Sequence, residues 1–159
     1  MSLARELNMN DEFDSLQHEA LLSIVRTAQV LARHGQVFFQ RYGLTEAQYN
    51  VLIVLKLAQQ PLTQVELGER LVVSRANITS LLDKLQKKSW IQRRSVAGDR
   101  RVFEVHLTPE GRKITDMVEP VYVKEVKRCM GALDKQKCRI LSRALAQVRE
   151  EVRGLNQYE

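Results

Sequence analysis

The chain is poor in residues that interrupt or staple a fold. Seven glycines and three prolines in 159 residues favour long helices over a many-turned β-sandwich. Two cysteines are too few for a disulfide framework and fit a reducing, cytoplasmic setting. No apolar run approaches the roughly 18 residues of a membrane-spanning helix. Near the start stand Glu6, Asp11, Glu12 and Asp14, where a signal peptide would carry a basic stretch before an apolar one. The glycines form no phosphate-cradling loop, and no Gly-x-Ser-x-Gly elbow occurs. His18-Glu19 opens like a zinc-protease motif but lacks the second histidine. No spacing gathers His18, His34 and His106 as metal ligands. Enzymatic activity, a cofactor and a metal are therefore not expected.

What is present describes a globular protein: 44% apolar and 28% charged residues. A chain of this length buries roughly two-thirds of the surface exposed when unfolded. The net charge is +6, and its location is more telling than its size. Between Arg75 and Lys113, ten basic residues face four acids, so this segment holds the whole excess. Such a compact basic segment points to a polyanion-binding surface.

Apolar residues recur in steps of three and four at Leu21, Ile24, Val25, Ala28, Leu31, Phe38, Phe39 and Tyr42, predicting a helix over 14–42 that Gly43 ends. Thr45-Glu46-Ala47-Gln48 and Thr63-Gln64-Val65-Glu66 are capping boxes, each opening a helix. The first runs to about residue 59, before Pro61, and the second to about 71. After a break at Val72-Val73, Ser74 caps a further helix. It buries Ile78, Leu81, Leu82 and Leu85 and turns a polar face outward. From Trp90 the period becomes two: a strand starts there, pairs with 102–107, and turns at Ala97-Gly98-Asp99-Arg100. Thr108 and Pro109 open a helix to about 130, in which Pro120 should cause a kink. Asp134 caps a last helix to about 153. Its stripe, Cys138, Leu141, Leu145, Val148, Val152 and Leu155, is a heptad seam that wants a helical partner.

Two short helices with a tight turn, the second polar-faced, form a helix-turn-helix, and the second fits the major groove of B-DNA. Its DNA-facing residues are Ser74, Arg75, Ala76, Asn77, Thr79, Ser80, Lys84 and Lys87. The basic hairpin that follows, with Arg94, Asp99, Arg100 and Arg101, reads as a wing for the minor groove. The fold class is mostly α with a small β-hairpin: a winged helix-turn-helix over 45–108, and a helical dimerisation region over 1–44 and 109–159.

The stretches Leu62 to Leu67, Ser74 to Leu85, Asp99-Arg100-Arg101 and Leu107-Thr108-Pro109-Glu110-Gly111 together resemble the MarR family of bacterial winged-helix regulators. The likeness covers nearly the whole chain. It implies a homodimer joined through its terminal helices, and operator binding released by a small ligand or by thiol oxidation. It also implies that Arg101 enters the minor groove and Asp99 orients it. Two departures stand out. Ser89-Trp90 replaces the usual Gly-Leu, so a different cap is expected at the end of the recognition helix. Val72 replaces a frequent turn residue.

Cys129 and Cys138 fall on apolar stripes, where free cysteine acts as a small hydrophobe. The redox-sensing members of the family usually carry their cysteine in the first helix, where this chain has none. Phe39, Tyr42 and Tyr49, with His34 nearby, fall where the family has its ligand pocket, although aromatic side chains are more often core. The partners implied are double-stranded DNA, a second copy of the chain and a small aromatic or phenolic ligand, with no membrane. The function expected is a ligand-released repressor. The alternative is a constitutive architectural or adaptor protein on the same fold.

Overall fold

The computed structural model describes residues 3–7, 13–58, 60–71, 78–96 and 99–155. The elements are α1 (Leu3–Glu6), α2 (Leu16–Gln40), α3 (Glu46–Leu57), β1 (Leu62–Thr63), α4 (Gln64–Arg70), α5 (Ile78–Lys87), β2 (Ile91–Val96), β3 (Asp99–Leu107), α6 (Pro109–Cys129) and α7 (Lys135–Leu155). The chain forms two compact units, Met1–Thr115 and Asp116–Glu159. No helix among the described residues is long and apolar enough to cross a membrane.

In the first unit, the Ser15 side chain caps α2 by accepting the His18 N–H at 3.1 Å. The helix ends two residues before the expected Tyr42, because Gly43 takes a left-handed φ of 64°. The Leu44 N–H then reaches back to the Phe39 carbonyl at 3.1 Å and the Gly43 N–H to that of Gln40 at 3.0 Å. This crossed pair is a Schellman closure. At the start of α3 the capping box forms as expected: the Gln48 N–H donates to Thr45 Oγ1 at 3.2 Å and the Thr45 N–H to Gln48 Oε1 at 3.1 Å. The helix stops at Leu57, earlier than residue 59, because Ala58 is already extended (φ −69°, ψ 133°).

The core of this unit contains Phe38, Phe39, Leu44, Tyr49, Val51 and Leu52 from the α2–α3 region. Leu62, Leu67, Leu82, Leu85, Ile91 and Val105 are buried with them. Each such side chain contributes roughly 1.5–3 kcal/mol relative to exposure. The sheet has the antiparallel order β1-β3-β2. Strand β1 is absent from the sequence reading because two residues carry no periodicity. It forms because Leu62 pairs with Val105, and both are buried. Strand β3 begins at Asp99 rather than Val102, with an irregularity at Ser95/Val96 where the regular register breaks off.

One junction organises the unit. Helix α5 ends in the same crossed closure as α2: the Trp90 N–H bonds the Leu85 carbonyl at 3.1 Å and the Ser89 N–H that of Gln86 at 2.9 Å. Ser89 takes a φ of 58°. The cap is thus not different in kind, as expected from the missing glycine; serine accepts the left-handed conformation instead. The Thr108 N–H then bonds the Trp90 carbonyl at 3.1 Å. The Thr108 hydroxyl donates to the Ser89 carbonyl at 2.7 Å and accepts the Gly111 N–H at 3.0 Å, capping α6. At Gly111 a Cβ would lie 2.0 Å from the Trp90 carbonyl oxygen, so only glycine fits.

The second unit contains the later part of α6 and all of α7. Pro120 lies inside α6 without ending it. Asp134 caps α7 through its Oδ1, which accepts the Lys137 N–H at 2.8 Å. No residue of α7 is buried. Leu141, Val148, Val152 and Leu155 of the expected seam are all exposed. Cys138 is half-buried, but Cys129 is exposed. The expectation of a buried small hydrophobe therefore fails for Cys129, which occupies the last position of α6.

Two substitutions at the junction test its stereochemistry. Gly111→Ala should destabilise the chain by about 1–3 kcal/mol through the forced overlap. Ser89→Gly should stabilise it by roughly 0.5–1 kcal/mol, the left-handed penalty less the added freedom of the unfolded glycine. Urea unfolding of both variants reads the two opposite signs.

Candidate nucleic-acid interface

Helix α5 follows a short α4, the two being the helices of the expected helix-turn-helix. Its apolar positions Ile78, Leu81, Leu82 and Leu85 are buried, spaced so that they share one face. Thr79, Ser80, Asp83, Lys84 and Lys87 are exposed. The basic residues of the last turn, Lys84 and Lys87, also lie favourably toward the negative end of the helix dipole.

Several side chains hold this helix in place. Gln64, the first residue of α4, donates from Nε2 to Thr79 Oγ1 at 2.7 Å. From β2, the Arg93 Nη2 donates to Asp83 Oδ1 at 2.5 Å and to the Thr79 carbonyl at 3.3 Å. Arg94 takes the opposite direction, since successive strand residues alternate faces. Its Nε and Nη2 donate to Gln92 Oε1 at 3.3 and 3.1 Å, and it pairs across the ladder with Glu104. The carboxylate of Glu104 lies 3.1 Å from His106 Nε2. At the far end of α5, Lys88 donates to the Gly43 carbonyl and sits 4.5 Å over the Trp90 ring, a cation–π contact. Helix, wing and the end of α2 are thereby joined within the first unit.

A family model described as "MarR family" matches residues 42–102, which span α3, α4, α5 and most of the hairpin. The chain is 27% identical over 129 residues to the HTH-type transcriptional regulator PapX of Escherichia coli, covering 78% of each. The matched segment, residues 42–102, is a MarR-family segment. Among solved structures, the MarR-family regulator Sco3205 of Streptomyces coelicolor, in complex with DNA, superimposes with a TM-score of 0.80. It is 21% identical, over 89% of this chain and 91% of that one. The organohalide-sensing regulator RdhR, in its 2,4-dichlorophenol-bound form, gives a TM-score of 0.79 at 14% identity, over 89% and 86%. The winged-helix fold follows from these structural likenesses, and the role of transcriptional regulator from the MarR-family segment and its curated relative.

The residues singled out from the sequence are distributed unevenly on this MarR fold. Thr79, Ser80, Lys84 and Lys87 lie on the exposed face of α5. Ser74, Arg75, Ala76 and Asn77 lie outside the described residues, as does Val72. Arg94 is exposed on β2. Asp99, Arg100 and Arg101 open β3, and their side chains lie outside the description. Two residues that hydrogen-bond α5 were not singled out from the sequence, Gln64 and Arg93. Arg93 was visible only as one of a basic cluster, because the strand register that aims it at α5 is a tertiary fact.

The aromatic group divides differently. Phe39 and Tyr49 are buried, with ring centroids 5.0 Å apart. Tyr42 is half-buried, its ring 5.4 Å from that of Phe38. A cleft of about 510 Å³ opens beside them, lined by Gln36, Gln40, Leu44, Glu46 and Asn50 among others, and by none of His34, Phe39, Tyr42 or Tyr49.

The start of α4, which carries Gln64, depends on a carboxylate. Glu66 Oε2 accepts the Thr63 N–H and hydroxyl, each at 2.8 Å. The Thr63 N–H first, and then its hydroxyl, hold the Glu66 carboxyl below its usual range, aided by Arg70 and opposed by desolvation. A pKa lowered on folding gives stability that is complete above the unfolded value, about 4.3 for glutamate. That stability is lost as pH falls through the lower folded value. Acid titration of thermal stability should show this loss, and Glu66→Gln should lack it while keeping the cap.

Proposed function

We propose that the chain is a homodimeric repressor of a pseudo-palindromic operator, released by a small aromatic ligand. The observation that carries this reading is the exposed Thr79, Ser80, Lys84 and Lys87 face of α5 beside a hairpin bearing Arg94, Asp99, Arg100 and Arg101. In this reading α5 lies in the major groove with Ser74, Arg75, Ala76 and Asn77 at its leading end, and Arg101 reaches the minor groove. The DNA complex of the structurally similar Sco3205 supports it.

The exposed stripe of α7, with Val148 at 44% and Val152 at 49%, supports pairing with a second copy through the terminal regions 1–44 and 109–159. Two recognition helices, one from each 45–108 region, then meet half-sites about one helical turn apart, ~10 bp centre to centre. Ligand release draws support from the dichlorophenol-bound RdhR. The aromatic side chains at the α2–α3 corner, with His34, Tyr42 and the adjacent cleft, are where a phenolic or benzoic acid would bind. A ligand that favours the unbound arrangement by 100-fold changes operator affinity by about 2.7 kcal/mol.

Footprinting on duplexes selected by the protein should protect two symmetric half-sites; protection of a single half-site overturns the dimeric reading. Arg101→Ala should weaken the selected duplex by about 1–3 kcal/mol per wing. Lys87→Ala should weaken selected and random duplexes alike and reduce the salt slope by about one. Operator titration with a millimolar aromatic acid, beside Tyr42→Ala, tests release. An affinity indifferent to the acid sinks the sensing reading and leaves a constitutive DNA-binding protein.

A further inference from the structure

We infer that Arg93 and Gln64 are positioning residues that set the register of the DNA-reading face of α5, and so its sequence discrimination, without touching DNA. The inference rests on the placement of α5 in the major groove. Thr79 and Asp83 stand one helical turn apart in the first part of α5. Arg93 Nη2 bridges both ends of the turn, through the Thr79 carbonyl at 3.3 Å and Asp83 Oδ1 at 2.5 Å. Gln64 holds the hydroxyl of the same Thr79 at 2.7 Å. One turn of α5 is therefore tethered to both α4 and β2, and the tethered residues alternate with Ser80 and Lys84.

Two further observations fit positioning better than direct contact. Arg93 Nε is buried without a hydrogen-bond partner among the described residues, and only 21% of the Arg93 side chain is exposed. Its guanidinium is directed to the helix at the cost of an unmet donor, instead of outward to phosphate. Asp83 adds a negative charge beside Lys84 on a surface that would face phosphates, which is adverse unless a cation takes it up. A guanidinium can serve two acceptors at once through its planar fork, whereas an ammonium is a single point charge. Side chains that read bases need such support, because small misplacements forfeit geometry.

The test compares a duplex that the full-length protein selects from a random library with a scrambled duplex of equal length, at one salt concentration. Arg93→Lys keeps the net charge. It should lower the ratio of selected to scrambled affinity about tenfold while scrambled affinity stays within about twofold. Asp83→Asn discriminates by sign: removing an acid should tighten both duplexes by simple electrostatics, whereas loss of the tether weakens the selected one and lowers the ratio. Partial unfolding removes active protein equally for both duplexes, so the ratio does not report stability. Unchanged ratios in both variants overturn the inference. Lys87→Ala separates the two levels. If it weakens both duplexes while the tether variants leave the ratio unchanged, only the tether fails. If it changes neither duplex, the placement of α5 on DNA fails, and the inference with it.

Discussion

The carbonyl of Trp90 is the point on which the arrangement of α5, the β2–β3 hairpin and the start of α6 depends. The peptide that carries it follows the left-handed Ser89 at the end of α5 and leads directly into β2. Its oxygen accepts the N–H of Thr108 at 3.1 Å, and Gly111 approaches it so closely that no side chain fits. Helix α5, the β2–β3 hairpin and the first turn of α6 thus diverge from one hydrogen-bonded corner. A shift at this corner would move the wing and the start of α6 together relative to α5. The absence of a side chain at Gly111 is therefore a requirement of packing, whereas the absence of glycine at Ser89 is tolerated strain.

From this corner the interface is built by two different kinds of force. The orientation of α5 comes from burial of Ile78, Leu81, Leu82 and Leu85, which together contribute several kcal/mol. Burial is non-directional, so it selects a face without setting rotation and translation finely. Hydrogen bonds from Gln64 and Arg93 supply direction, since they weaken steeply with distance and angle. Polar groups here contribute modestly to stability and more to geometry. The same division holds at the caps of α3 and α4, where Thr45 with Gln48 and Thr63 with Glu66 set where a helix starts.

Much of this was legible in the sequence. The capping boxes at Thr45 and Thr63 and the apolar spacing of α5 each depend on residues close together in the chain, and each formed. The MarR likeness, carried by short motifs in order, extends the same local information. Boundaries slipped where tertiary contacts intervened. Strand β1 exists because Leu62 meets Val105, forty-three residues away, and β3 begins at Asp99 because its pairing with Val96 extends it. Cys129 lay on an apolar stripe in the sequence and is exposed in the fold.

Local sequence suffices for the helical class, the starts of α3 and α4, the basic segment and the polar face of α5, because propensity, capping and amphipathic period act within a few residues. Which of two adjacent arginines serves α5 is settled by long-range packing. Arg93 and Arg94 are indistinguishable as sequence. The register of β2 against β3, which pairs Arg93 with the buried Val105 and Arg94 with Glu104, sends one toward α5 and the other away. A slip of one residue would exchange them, because side chains alternate along a strand. That register is held by the burial of Ile91 and Val105 and by the corner at Trp90, contacts between residues far apart in the chain.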